Sequence, residues 1–117
     1  MSEMDTSRPL KPAVFHILLA LAGGESHGYA IMQTVREQSG GRVPLQTGSF
    51  YRHLSRLLDD GLVAETSGRG QPADPRRGTY YRITPAGRQA LERERQYLAA
   101  LLAAMGSLRP AWRKDTP

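Results

Sequence analysis

With 117 residues, 39% of them hydrophobic and 23% charged, the chain has the material for one small domain and a modest core, and its composition is not that of a disordered segment. It has no cysteine, which excludes a disulfide framework and any thiolate metal site. The formal net charge is +5, and fourteen of the sixteen cationic residues are arginine, the side chain best shaped for forked recognition of phosphate. An anionic partner is therefore plausible on charge, and the placement of the arginines must decide.

Residues 1–8 carry acids and no periodicity, so a disordered N-terminus is expected and a signal peptide is not. From residue 9 to residue 21, Ala13, Val14, Ile17, Leu18 and Leu21 recur at spacings of three and four, which predicts a first helix that Gly23-Gly24 ends. Ser26 is placed to cap a second helix over residues 27–38, with Ile31, Met32 and Val35 as its apolar stripe and Ser39-Gly40-Gly41 as its stop. Pro44 marks an extended link.

The next stretch, TGSFYRHLSRLLDDGLV, predicts a third helix starting at Gln46 or Thr47 and ending at Gly61. Phe50, Leu54, Leu57 and Leu58 follow the pattern of a buried face. Arg52, Ser55, Arg56 and Asp59 lie opposite, with Ser49 and His53 on the flanks. Two β-type segments follow, residues 62–66 and residues 79–84 (TYYRIT), separated by SGRGQPADPRRG, which reads as a long basic hairpin loop. Pro85 suits the first turn of a last helix running to about residue 108, and residues 109–117 form a tail. The longest apolar stretches, AVFHILLALA and YLAALLAAM, are too short to cross a bilayer, so a cytoplasmic location and no membrane partner are expected.

Three short helices and a two-stranded hairpin describe a winged helix-turn-helix over residues 9–84, a mainly α, α+β fold, to which a C-terminal helix over residues 85–108 is added. In that fold the third helix enters the major groove, so its inner face must be apolar and its outer face free of acids. Residues 46–58 meet both demands, since the first acids are Asp59 and Asp60. The loop adds Arg69, Arg76 and Arg77 against the single acid Asp74, as a wing touching phosphate or the minor groove would. A solvated arginine-bearing face is the common alternative for one helix, but two adjacent cationic elements in this order favour double-stranded DNA. A winged-helix adaptor that binds protein and not DNA is the competing function; adaptors of that kind tend to lose these cations.

The blocks ILLALAGGESHGYAIMQ, TGSFYRHLSRLLDDGLV and RRGTYYRITPAGRQAL, in that order, resemble the PadR family of bacterial transcriptional regulators over about residues 10–92. The resemblance implies a dimeric winged-helix repressor with a C-terminal dimerisation helix and, in many members, a small-molecule inducer. It implies that Tyr51 contacts the DNA backbone, that Gly28-Tyr29 opens the second helix and that Gly61-Leu62 forms the turn into the wing. Where the family often has Ser-Pro at the start of the third helix this chain has Gln46-Thr47, and its length is similar to that of the short subfamily. The expected DNA contacts are Thr47, Ser49, Tyr51, Arg52, Ser55 and Arg56 on the helix and Arg69, Arg76 and Arg77 on the wing, with an inverted-repeat operator following from two-fold symmetry.

Leu91, Leu98 and Met105 fall seven apart, and Leu101, Leu102 and Leu108 fill adjacent positions, which makes a seam for a partner helix that Arg95 interrupts. Short members of the resembled family have an apolar cavity between subunits, walled by the first and last helices. Phe15, Leu18, Tyr97, Leu98 and Leu101 are the candidates here for holding a small aromatic effector, the alternative being that they close a dry interface and bind nothing. His16, His27 and His53 lack any i, i+4 pairing or carboxylate cluster that would hold a metal. Asp59 and Asp60, as helix neighbours, do not face each other as a catalytic pair would. With no phosphate-binding glycine loop and no triad, neither an enzyme nor a cofactor is expected.

Overall fold

Pro12 sets the start of the first helix. A residue before proline is pushed out of helical conformation, and Lys11 accordingly sits at φ −63°, ψ 147°. Helix α1 therefore spans Pro12–Ala22, three residues shorter at its start than the periodicity suggested. Its stripe of Ile17, Leu18 and Leu21 is buried. The structure, a computed structural model, describes residues 9–66 and 78–108. The expected N-terminal segment, the wing residues Arg69, Arg76 and Arg77, and the tail lie outside the described residues.

Two residues between the first helices form an element that the periodicity does not show. Strand β1, Ser26–His27, pairs antiparallel with the wing at Ser26↔Tyr81 and His27↔Tyr80. Ser26 is thereby held extended in a ladder, and the cap of the second helix moves one residue on. His27 takes that role, its Nδ1 accepting from the backbone N–H of Ala30 at 3.3 Å. Helix α2 spans Gly28–Gln38 and buries Ile31 and Val35, with Met32 packed beside them.

Helix α3 spans Thr47–Asp59. Gln46 occupies its cap position without a side-chain hydrogen bond. Phe50, Leu54 and Leu57 are buried, and Leu58 is half-buried, as a helix laid on α1 requires. Asp60 caps the C-terminus, and Gly61 at φ 76° makes the left-handed turn that lets the chain reverse into the wing.

Strands β2, Val63–Thr66, and β3, Tyr80–Ile83, complete a three-stranded antiparallel sheet of order β1-β3-β2. Val63 faces Ile83 across the ladder, and both point into the core with Tyr81. Thr84 then joins wing to last helix. Its hydroxyl donates to the Gly61 carbonyl at 2.7 Å and accepts from the Gly87 N–H at 3.0 Å, while its own N–H donates to the Leu62 carbonyl at 3.1 Å. Gly87 packs so tightly on this turn that a β-carbon there would fall on the Leu62 carbonyl oxygen and lie 2.7 Å from Ile83 Cγ1.

Helix α4 spans Pro85–Ser107, about 35 Å at the rise of an α-helix. Burial is confined to its first half. Gly87 and Glu94 are buried, and Ala90 and Leu91 pack partly on the core. A carboxylate oxygen of Glu94 accepts the Leu10 N–H at 3.1 Å, tying the chain ahead of α1 to this helix. From Arg95 to Leu108 every residue is exposed.

Candidate nucleic-acid interface

The inner face of α3 is fixed by Phe50, Leu54 and Leu57 in the core, and this fixes what the outer face presents. Thr47, Tyr51, Arg52, Ser55 and Arg56 are exposed, and Ser49 and His53 are half-buried at the flanks. Ser49 donates its hydroxyl proton to the Gln46 carbonyl at 3.1 Å, which leaves its lone pairs as acceptors. The six helix residues expected to meet DNA thus lie on one side of one helix, and no acid falls between Thr47 and Leu58. Asp59 and Asp60 sit at the opposite end from Thr47.

Electrostatics follow from the same geometry. The pKa of His53 is lowered, first by partial burial and then by the positive charges of Arg52 and Lys11. Tyr81, under the wing, has its pKa raised, chiefly by burial and secondarily by Tyr51 and Glu65, while a hydrogen bond with Thr79 opposes the rise. Tyr51, on the third helix, is thus close enough to Tyr81 to act on it. Its ring meets Phe50 edge-on, with centroids 4.8 Å apart and planes at 74°.

The last helix carries a second feature. The residues expected to form its seam include Leu98, Leu101, Leu102, Met105 and Leu108, which are all exposed, Leu102 by 71%. Leu91 differs from them, being half-buried against the chain's own core. Between α1 and α4 lies a groove of about 500 Å³ lined by Phe15, Leu19, Leu91 and Leu98 together with Arg88, Glu92 and Arg95. Arg95 forks onto Glu92 with bonds of 2.9 and 2.6 Å, and this hydrogen bonding holds the Glu92 pKa below its usual value.

One expectation about the effector wall needs correction. Leu18 is fully buried in the core and cannot wall it; Leu19, 39% exposed, does so with Phe15. The spacing contained that answer, because Phe15 and Leu19 are four apart while Leu18 shares its face with Val14 and Leu21. Tyr97 and Leu101 are exposed on α4 outside this intrachain groove, where a cavity between two subunits could still use them. Among the described residues no cluster of three or more His, Asp or Glu is arranged to hold a metal ion, and no helix is long and apolar enough to cross a membrane.

A three-helix unit with a short strand after the first helix, a sheet closing on the third, and an acid-free α3 face defines a winged helix-turn-helix regulator fold. Residues 17–93 match the transcriptional regulator PadR-like family, and the chain belongs to that family. Its members are transcriptional regulators, not enzymes. The chain is 38% identical over 86 residues to the transcriptional regulator Rv3488 of Mycobacterium tuberculosis, covering 74% of this chain and 75% of that protein. It is 42% identical over 87 residues to an uncharacterized 37.1 kDa protein in transposon TN4556 of Streptomyces fradiae, a match spanning 73% of this chain but only 22% of that protein. A PadR family transcription regulator from Clostridium difficile superposes with TM-score 0.69 at 25% identity, over 82% of this chain and 96% of that one. Bacillus subtilis PadR, solved in complex with operator DNA, superposes with TM-score 0.57 at 25% identity, over 70% of this chain and 45% of that one.

Proposed function

We propose that the chain is a homodimeric, sequence-specific DNA-binding repressor acting in the cytoplasm, which a small aromatic effector releases from its operator. The observation that carries this reading is the outer face of α3, where Arg52 and Arg56 stand exposed with Thr47, Ser49, Tyr51 and Ser55 and no acid intervenes. Such a face can follow phosphates into the major groove and present forked donors to base edges. The likeness to a regulator solved on its operator supports the same use. Residues 9–84 form the DNA-binding unit in this reading, with Arg69, Arg76 and Arg77 reaching phosphate from the wing.

The exposed apolar run on α4 supports dimerisation, because a lone soluble chain gains nothing by holding Leu98, Leu101, Leu102, Met105 and Leu108 in water. Residues 85–108 serve as the dimerisation helix, and two-fold symmetry makes the operator an inverted repeat. The groove between α1 and α4 opens beside this seam, and Phe15, Leu19, Leu91 and Leu98 offer a flat ligand an apolar wall. To act as an inducer, the ligand must bind better to the arrangement that does not fit DNA.

Mobility-shift titrations on duplex DNA from upstream of the protein's own coding sequence, repeated across salt concentrations, test the reading. Arg52→Ala should alter base preference, with a loss of about 1–3 kcal/mol at the site it reads. Arg76→Ala should lower the salt slope by about one and leave preference unchanged. Equal behaviour of the two variants would refute the division between helix and wing. Absence of any sequence-selective complex would refute the function.

A further inference from the structure

Gly28 is the first residue of α2, directly after the His27 cap, and it is buried. Its backbone does not take a left-handed conformation, so φ does not demand glycine there. Space does. A β-carbon at this position would fall on the Tyr51 hydroxyl oxygen, 3.1 Å from Tyr51 Cζ and 3.4 Å from Phe50 Cε2. The phenol of Tyr51 therefore lies over the start of α2 in room that only a missing side chain provides. Phe50 is locked in the core and its ring braces Tyr51 edge-on, so the phenol is held from both sides. Yet Tyr51 remains 45% exposed on the face that carries Arg52.

The residues around Gly28 make this seat stiff. His27 is hydrogen-bonded in the ladder with the wing strand, stacks edge-on with Tyr80 at 5.5 Å, and caps α2 through Ala30. The start of α2 is thus fixed relative to the wing, and Tyr51 rests on that fixed point from the third helix. A tyrosine hydroxyl that is to meet a phosphate needs its ring orientation set in advance, since a freely rotating phenol loses entropy on binding.

We propose that Gly28 is a positioning residue for DNA binding, providing the seat that fixes the Tyr51 hydroxyl at the DNA-facing surface. It acts through Tyr51 and touches no DNA itself. The proposal rests on the DNA-binding reading above and adds to it a residue on α2, outside the third helix and the wing. A methyl group at position 28 must push the end of the Tyr51 side chain aside, because the phenol can yield where the Phe50 ring cannot.

A double-mutant cycle tests it, with Gly28→Ala, Tyr51→Ala and the two combined, each measured for duplex-DNA affinity and for thermal melting. The probes are the same upstream duplex and an unrelated duplex at low salt, since a phosphate contact is blind to sequence. Gly28→Ala in the wild-type background should weaken binding about tenfold on both duplexes, the size of one lost hydrogen bond to a charged group. It should change the melting temperature little. In the Tyr51→Ala background it should have no further effect on affinity. An equal loss in both backgrounds would overturn the proposal, as would wild-type affinity in Gly28→Ala. If Gly28→Ala alone fails to fold while the double variant folds and binds as Tyr51→Ala does, the collision with Tyr51 is demonstrated by the rescue. If both fail to fold, position 28 serves Phe50 packing and the proposal falls. Failure of the wild-type protein to bind either duplex sinks the DNA-binding reading instead, and the inference with it.

Discussion

Helix α3 and the outer half of α4 are both amphipathic, yet they use opposite faces. In α3 the apolar residues Phe50, Leu54 and Leu57 are spent on the chain's own core, and the polar face is left in solvent. In α4 beyond Glu94 the apolar residues are the ones left over, with Leu98, Leu101, Leu102 and Met105 between 41% and 71% exposed. The side chains are of one kind in both helices; the difference is whether this chain supplies something to cover them. An apolar stripe read from spacing says that a helix has a face to bury. It does not say against what.

The sharpest way to break this comparison is to treat the two leucine sets alike. Leu54→Ala should lower the unfolding free energy by about 2–5 kcal/mol, the cost of a cavity in a packed core, as measured by chemical denaturation. Leu102→Asp should leave the helical content of the chain intact and raise the dimer dissociation constant by about a hundredfold or more, read by light scattering across concentration. A Leu102→Asp chain that is unfolded would mean that the outer half of α4 belongs to the same folding unit as α3. A wild-type chain that is monomeric at micromolar concentration would remove the partner altogether.

The parts of the molecule that were legible in advance are those whose signals are local. The α3 face was legible because Phe50, Leu54 and Leu57 repeat within one helix, and Arg52 and Arg56 fall opposite by geometry alone. Strand β1 was not legible, since two residues have no period and Ser26 finds its partner at Tyr81, far along the chain. The same distant pairing displaced the cap from Ser26 to His27. Leu18 and Leu19 differ by one position on α1, and a one-residue step moves a side chain about a quarter turn round the helix. The seats at Gly28 and Gly87 depend on Tyr51 and Leu62, which approach only after folding.

The junction between the two regions offers a smaller test. Thr84 holds the turn after α3 and the start of α4 with one hydroxyl. Thr84→Val removes both hydrogen bonds at nearly constant volume and should cost about 1–2 kcal/mol of stability. Because the hydroxyl belongs to the junction, the loss should reach both regions. Hydrogen exchange should quicken at the first turn of α4 and at Gly61-Leu62 together. Exchange that rises at only one of them would show that the cap and the wing turn are held separately.

The smallest effect is expected from protons. His16 has its pKa lowered by burial, and His53 by burial first and then by Arg52 and Lys11. His16 Nδ1 also lies 3.0 Å from the Gln38 amide nitrogen, an arrangement in which the neutral ring accepts and the charged ring cannot. For a group whose pKa falls on folding, the unfolded chain binds protons more readily. The stability contributed by the neutral rings is then complete above the ordinary histidine value of 6.5, and it is lost as pH falls below that value toward the folded pKa. Melting temperatures near neutral and mildly acidic pH should therefore drop less in a His16→Gln/His53→Gln variant than in the wild type, with carboxylate effects common to both. On the DNA side the sign reverses. A proton on His53 adds a cation at the flank of the Arg52 and Arg56 face, so acidification should strengthen binding to duplex DNA while it weakens the fold, and His53→Gln alone should abolish the gain. If binding strengthens equally in that variant, the proton is taken up elsewhere, and the flank of α3 plays no part in the electrostatics that distinguish it from α4.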